Sequence, residues 1–80
     1  MRLRTEVVAV DTEDARVLLD ERTGHYFQLN RSGALILDAV LADEDAAQRL
    51  TEVYAVDPER ATADVADLLE RLRAAGLVVT

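Results

Sequence analysis

The chain has no cysteine and a single histidine, His25. That leaves no thiolate nucleophile, no disulfide and no cysteine metal site. One imidazole cannot form the multi-histidine set that binds zinc. Ser32 lies in Asn30-Arg-Ser-Gly33, a helix-starting context, and no base is spaced to activate it. It reads as a helix N-terminal residue. His25 reads as an exposed strand residue. Carboxylates are plentiful. Asp43-Glu44-Asp45 form one run; helix capping is the simplest use, and a docking surface for an arginine-rich partner is the alternative. Asp64, Asp67 and Arg71 fall at helical spacing. They read as a solvated face. No nucleophile–base pair and no metal set emerges, so no enzyme, no metal and no cofactor is expected.

The scaffold holding these groups is small. Eighty residues and 8.8 kDa make one domain, 1–80, and the 50% apolar content supplies a modest core. Nine arginines and no lysine face 16 acidic residues, for a net charge of −7. Such a surface repels phosphate backbones, whose attraction supplies most non-specific nucleic-acid affinity. No apolar run reaches membrane-spanning length, and the N-terminus lacks the apolar segment of a signal peptide. The expectation is a cytoplasmic protein with no nucleic-acid and no membrane partner.

Strand signals come first along the chain. Leu3 to Val10 is a β-branched run, Arg16 to Asp20 a second strand and His25 to Leu29 a third. In the third, the pleat puts Phe27 and Leu29 on one face and Tyr26 and Gln28 on the other. Short loops favour a three-stranded antiparallel meander. Phe27 and Leu29 read as core or as a pocket wall, and Tyr26 as a rim residue able to touch a partner.

Helices follow. Asn30 caps one over about 31 to 41, apolar almost all round. Asp43 is the expected cap of a second, ending near Tyr54, with Glu44 and Asp45 in its first turn. Asp57 and Pro58 open a third, and Gly76 closes it. Its stripe of Val65, Leu68, Leu69 and Leu72 is mainly core, with one flank free to face a groove. Leu68 and Leu69 lie about 100° apart around the helix, so one is the better core anchor and the other sits nearer that flank. Leu77-Val78-Val79 can return to the core or to a sheet edge. The whole is α+β, a winged helix-turn-helix-like order of three strands and then three helices.

Two blocks carry a family resemblance. Gly24-His-Tyr-Phe-Gln-Leu-Asn-Arg-Ser-Gly-Ala-Leu-Ile-Leu-Asp-Ala-Val-Leu41 resembles the central signature of the PqqD-like family. Asp64-Val-Ala-Asp-Leu-Leu-Glu-Arg-Leu-Arg-Ala-Ala-Gly-Leu-Val78 is similar to that family's ending. Leu37 stands where members of the PQQ pathway commonly carry an aromatic. Val56-Asp-Pro-Glu-Arg60 and the free-standing length look more like the recognition proteins of lasso peptide pathways.

The resemblance implies a RiPP recognition element, a domain that binds the leader segment of a ribosomally made precursor. It implies that the leader adds as a strand to the third strand, residues His25, Tyr26, Phe27, Gln28 and Leu29, and lies against the third helix. On that helix Asp64, Val65, Asp67, Leu68, Leu69, Arg71 and Leu72 are the candidate contacts, and the family's groove, on one flank of the stripe, assigns Leu69 to the groove and Leu68 to the core. It also implies a separate leader peptidase of the cysteine-protease-like type and a cyclase as partners. The residues alone say less. A sheet this short has an open edge able to template a partner strand, but they do not say which edge.

The other class of function is a winged-helix regulator or general protein-interaction module. In DNA-reading winged helices the recognition helix is basic, whereas this one exposes Asp64, Asp67 and Glu70 beside Arg60, Arg71 and Arg73. The chain is expected to show no useful affinity for random duplex DNA at physiological salt. Tight, steeply salt-dependent binding in a fluorescence titration would revive the regulator reading.

Overall fold

The computed structural model describes residues 1–79. Its elements are β1 (Arg2–Leu3), β2 (Val7–Asp11), β3 (Ala15–Asp20), β4 (His25–Asn30), α1 (Arg31–Leu41), α2 (Ala46–Tyr54), α3 (Pro58–Ala74) and β5 (Val78–Val79). β2, β3 and β4 form the antiparallel meander, in that order. The third strand expected from sequence is β4, one residue longer than expected. Three helices follow it, giving the anticipated α+β order.

The register sorts the side chains by face. Leu18 lies between Ala9 and Phe27, with Leu29 opposite Arg16. Val7, Leu18 and Leu29 point into the core, while Val8, Val10 and Tyr26 stay exposed on the outer face. The most deeply buried large side chains are Leu18, Leu37, Leu50 and Leu72, one each from β3, α1, α2 and α3. A core this small is sensitive to the loss of any of them. Truncating one to alanine costs about 3 kcal/mol, against a total of about 5–15 for a typical domain.

Helix ends follow local chemistry. The Asn30 side chain accepts from Gly33 N–H at 2.8 Å, so the last residue of β4 is also the cap of α1. Asp57 caps α3, accepting from Glu59 N–H, with Pro58 at the first helical position. Gly76, at φ +70°, takes the left-handed turn that ends α3 and sends the chain into β5.

Two expectations are corrected. The cap of α2 is Asp45, accepting from Gln48 N–H at 3.1 Å, and not Asp43. Asp43 adopts φ +58°, and Glu44 N–H bonds back to Ala39 O at 2.8 Å. Both residues therefore close α1, in the six-to-one bond of a left-handed helix end. The run Leu3 to Val10 is also not one strand. A turn with Val7 N–H on Arg4 O interrupts it, and β1 leaves to pair with β5, Leu3 opposite Val78. The return of Leu77–Val79 is thereby answered: Leu77 and Val78 are buried, and the strand edge they meet is β1.

Arginines tie these elements together. Arg16, largely covered, bonds Asp11 at the end of β2 and Asp38 on α1. The two carboxylates hold its guanidinium charged, with its pKa raised. Asp20 is 2% exposed. Its carboxylate accepts from Arg22 Nη2 at 2.8 Å, Arg22 Nε at 3.1 Å and the Arg22 backbone N–H at 3.0 Å. Arg22 Nη2 also donates to Gly76 O, as does Arg4 Nε.

Hydrogen bonds from Arg22 hold the Asp20 carboxyl below its ordinary pKa. The unfolded chain, with an ordinary aspartate near about 3.9, binds that proton more readily. The resulting stability is present above that value and is lost as pH falls through the lower folded one. Urea midpoints measured across this range should fall with acid in the wild type. Asp20→Asn should be less stable at neutral pH and show a flatter acid limb. Parallel limbs in the two proteins would contradict the assignment.

Candidate functional site

α3 packs on α2 and on β5, but stands away from β4, which is instead covered by α1. The gap is a trough. Its widest part, about 710 Å³, is floored by Ile36, Leu50 and Leu68 and rimmed by Asp64, Asp67 and Arg71. A second part, about 410 Å³, runs along Gln28, Leu29 and Asn30 and faces Leu68 and Arg71. Asn30, Gly33, Leu68 and Arg71 line both, so the two are continuous. At the other end of β4, His25, Tyr26 and Phe27 bound a hollow with Ala75 and Leu77 opposite.

One wall of the trough is unpaired backbone. Among the described residues β4 bonds β3 on one side only. In an antiparallel strand, alternate residues turn N–H and C=O to each side, so every second residue of β4 offers both groups to the trough. β2 is the other edge of the meander. No helix makes more than slight contact with β2 among the described residues, so that edge has backbone groups but no facing wall.

The opposite wall is chemically mixed. Leu68, 6% exposed, supplies the apolar floor. Arg60 sits 3.8 Å from Asp64, an exposed i,i+4 pair that holds little energy. The Arg71 guanidinium lies over the Phe27 ring, 5.4 Å from its centroid, which is cation–π range. This contact bridges α3 to β4 across the trough.

The structure brings six candidate residues together: Gln28 and Leu29 line the trough, with Asp64, Asp67, Leu68 and Arg71 facing them. His25, Tyr26 and Phe27 border a separate hollow at the other end of β4, with Phe27 meeting Arg71. Val65, Leu69 and Leu72 do not line these hollows. Leu72 is fully buried, and Val65 and Leu69 are half-buried against the core. Leu68 is buried in the core as expected and also lines the trough, whereas Leu69, expected in the groove, is about 100° further round and lines none of these hollows. Leu69 follows Thr62 by seven residues, which puts it on the flank where Thr62 and Pro58 face α2.

Asn30 and Gly33 were not singled out as site residues. Gly33 carried a usable signal, because glycine within a helix costs about 1 kcal/mol against alanine. Its reason is close approach: a Cβ there would lie 3.2 Å from Asn30 Oδ1 and 3.4 Å from Leu29 Cδ2. Among the described residues no group of three metal-binding side chains gathers, and no helix is long and apolar enough to cross a membrane.

Residues 15–78 match the family model of coenzyme PQQ synthesis protein D (PqqD). No curated protein sequence matches the chain. Two solved structures are similar throughout. A lasso peptide synthetase B1, complexed with the leader peptide, is 38% identical over 99% of this chain and 96% of that one, with TM-score 0.89. TbiB1, in complex with the TbiA(beta) leader peptide, is 28% identical over 96% of this chain and 93% of that one, with TM-score 0.84. Where the PQQ-pathway signature commonly has an aromatic, this chain buries Leu37 completely. The chain belongs to the PqqD family, and among RiPP recognition elements it is similar to the B1 proteins of lasso peptide biosynthesis.

Proposed function

We propose that this chain binds the leader segment of a ribosomally synthesised precursor as an antiparallel strand added to the free edge of β4. The whole chain, 1–80, acts as one recognition domain in the cytoplasm, where the ribosome makes the precursor. It does no chemistry. It delivers the leader to a separate leader peptidase of the cysteine-protease-like type, and a cyclase then acts on the core of the precursor in lasso peptide biosynthesis.

The observation that carries this reading is the unpaired edge of β4 facing an apolar-floored trough. The similarity to two chains solved with leader peptides supports it. A strand beside β4 would gain backbone hydrogen bonds over its six residues, roughly 20 Å. Its alternate side chains would fall toward Leu29 and Leu68 or toward the outer face beside Tyr26 and Gln28. Ordering a free peptide opposes binding, so the apolar floor must offset that loss.

A titration with a fluorescent synthetic leader, from the precursor encoded beside this chain's gene, should saturate with one peptide per chain. Amide shifts in NMR should cluster on β4 and on the trough side of α3. Shifts confined to β2 or α2 would move the site.

The rotation of α3 gives a sharper test. Leu69→Ala should lower the melting temperature while the folded protein keeps its leader affinity. Leu68→Ala should weaken both, costing about 3 kcal/mol of stability, and Leu68→Met, which keeps the volume, should restore the fold. Loss of affinity in Leu69→Ala at unchanged melting temperature would overturn the assignment of the trough wall.

A further inference from the structure

We infer that Arg71 selects the leader by receiving a carboxylate, so that the segment on β4 carries an Asp or Glu facing it. This rests on the peptide-binding reading and names the chemistry of the ligand at one position of that site.

Two guanidiniums line the trough. Arg60 has Asp64 beside it. Arg71 has neither a carboxylate in salt-bridge reach nor a side-chain hydrogen bond among the described residues. It is restrained instead by cation–π attraction to the Phe27 ring, 5.4 Å from its centroid. That contact does not use up the five N–H donors of a guanidinium. The planar fork is matched by a carboxylate, which accepts two parallel bonds from it. The order lost on binding is also smaller, because the ring already restrains the side chain.

Position selects the partner further. Arg71 lines both continuous parts of the trough, with Leu68 beside it and Gln28 and Leu29 across from it. A strand added to β4 must pass this point. The surroundings are acidic: Asp14, Asp57, Asp64 and Asp67 line the same trough, and the chain carries −7. An acidic side chain is repelled along the rim and accepted only under Arg71, so its place in the leader becomes a register mark. Asp67, one turn before Arg71, is the competing partner. The structure resolves that competition in favour of Phe27, leaving the cation available to the trough.

The test is a double-mutant cycle. Synthetic leaders of the neighbouring precursor, each with one Asp or Glu replaced by its amide, are titrated against wild type and Arg71→Gln. One replacement should weaken binding to wild type about tenfold, as expected for a charge-assisted pair, and cost almost nothing in Arg71→Gln. Because Arg71 is exposed, the variant should melt like wild type. Its affinity should also vary less with salt. Arg71→Glu paired with a lysine at that leader position should recover much of the loss.

Additive effects at every acidic position, or a tight-binding leader with no acidic residue, would overturn the role of Arg71 and leave strand addition standing. Failure of the unaltered leader to bind would overturn both.

Discussion

A carboxylate almost closed to water governs where β4 lies relative to α3. Asp20 ends β3, and left alone its charge would be costly to bury. Arg22, two residues on, meets it with side-chain and backbone donors. The same guanidinium reaches Gly76 O, as does Arg4 from the other end of the chain. The β3–β4 turn, the N-terminal segment and the end of α3 therefore meet at one carbonyl. At the far end of β4, Asn30 is strand and helix cap at once, and α1 reaches α3 through α2. β4 is thus fixed at both ends relative to α3, and between them the Arg71–Phe27 contact bridges the two. The trough is the space this arrangement leaves.

That geometry divides affinity from selectivity. Backbone groups on the free edge of β4 bond any extended segment, whatever its sequence. An edge of this kind invites unwanted pairing unless something guards it. Here α3 stands beside the edge, so a strand can enter only if its side chains suit the opposite wall. Leu68 asks for an apolar group, and the row Asp64, Asp67 and Arg71 asks for complementary polarity. The edge of β2 has no such wall, and Val8 and Val10 beside it are exposed. Selectivity can arise on one edge of this sheet and not on the other.

How much of this was legible in sequence depended on how local each signal was. The caps Asn30 and Asp57, Pro58 and Gly76 act within one turn, and each stands where it was expected. Asp43 misled because any of three consecutive carboxylates can cap a helix. What decided the matter was a backbone bond from Glu44 to Ala39, which side-chain types do not announce. The split of Leu3 to Val10 depended on β5, more than sixty residues away. The rotation of α3 was hidden by width. Val65, Leu68, Leu69 and Leu72 cover more of the helix than one contact seam, and Ala61, fully buried, marks the core direction without looking apolar enough to say so. The candidate edge came from the family resemblance, since the residues alone left two edges equivalent.

The open shape of the trough bears on what kind of protein can use it. The cleft covers a strand from one side only. A segment added to β4 would have α3 on one flank and solvent on the other. Its outward side chains would join Tyr26, already 74% exposed, on the outer face of the sheet. Residues beyond the roughly 20 Å of β4 would leave the protein altogether. Such a site holds a peptide by its backbone while leaving the rest free for another protein to act upon. One-sided contact also limits affinity, because less apolar surface is removed from water. The delivery role proposed above would use that limit, since a leader bound too tightly could not be passed on. An unclosed wall therefore fits the proposed role, in which a bound segment is presented to a catalyst elsewhere.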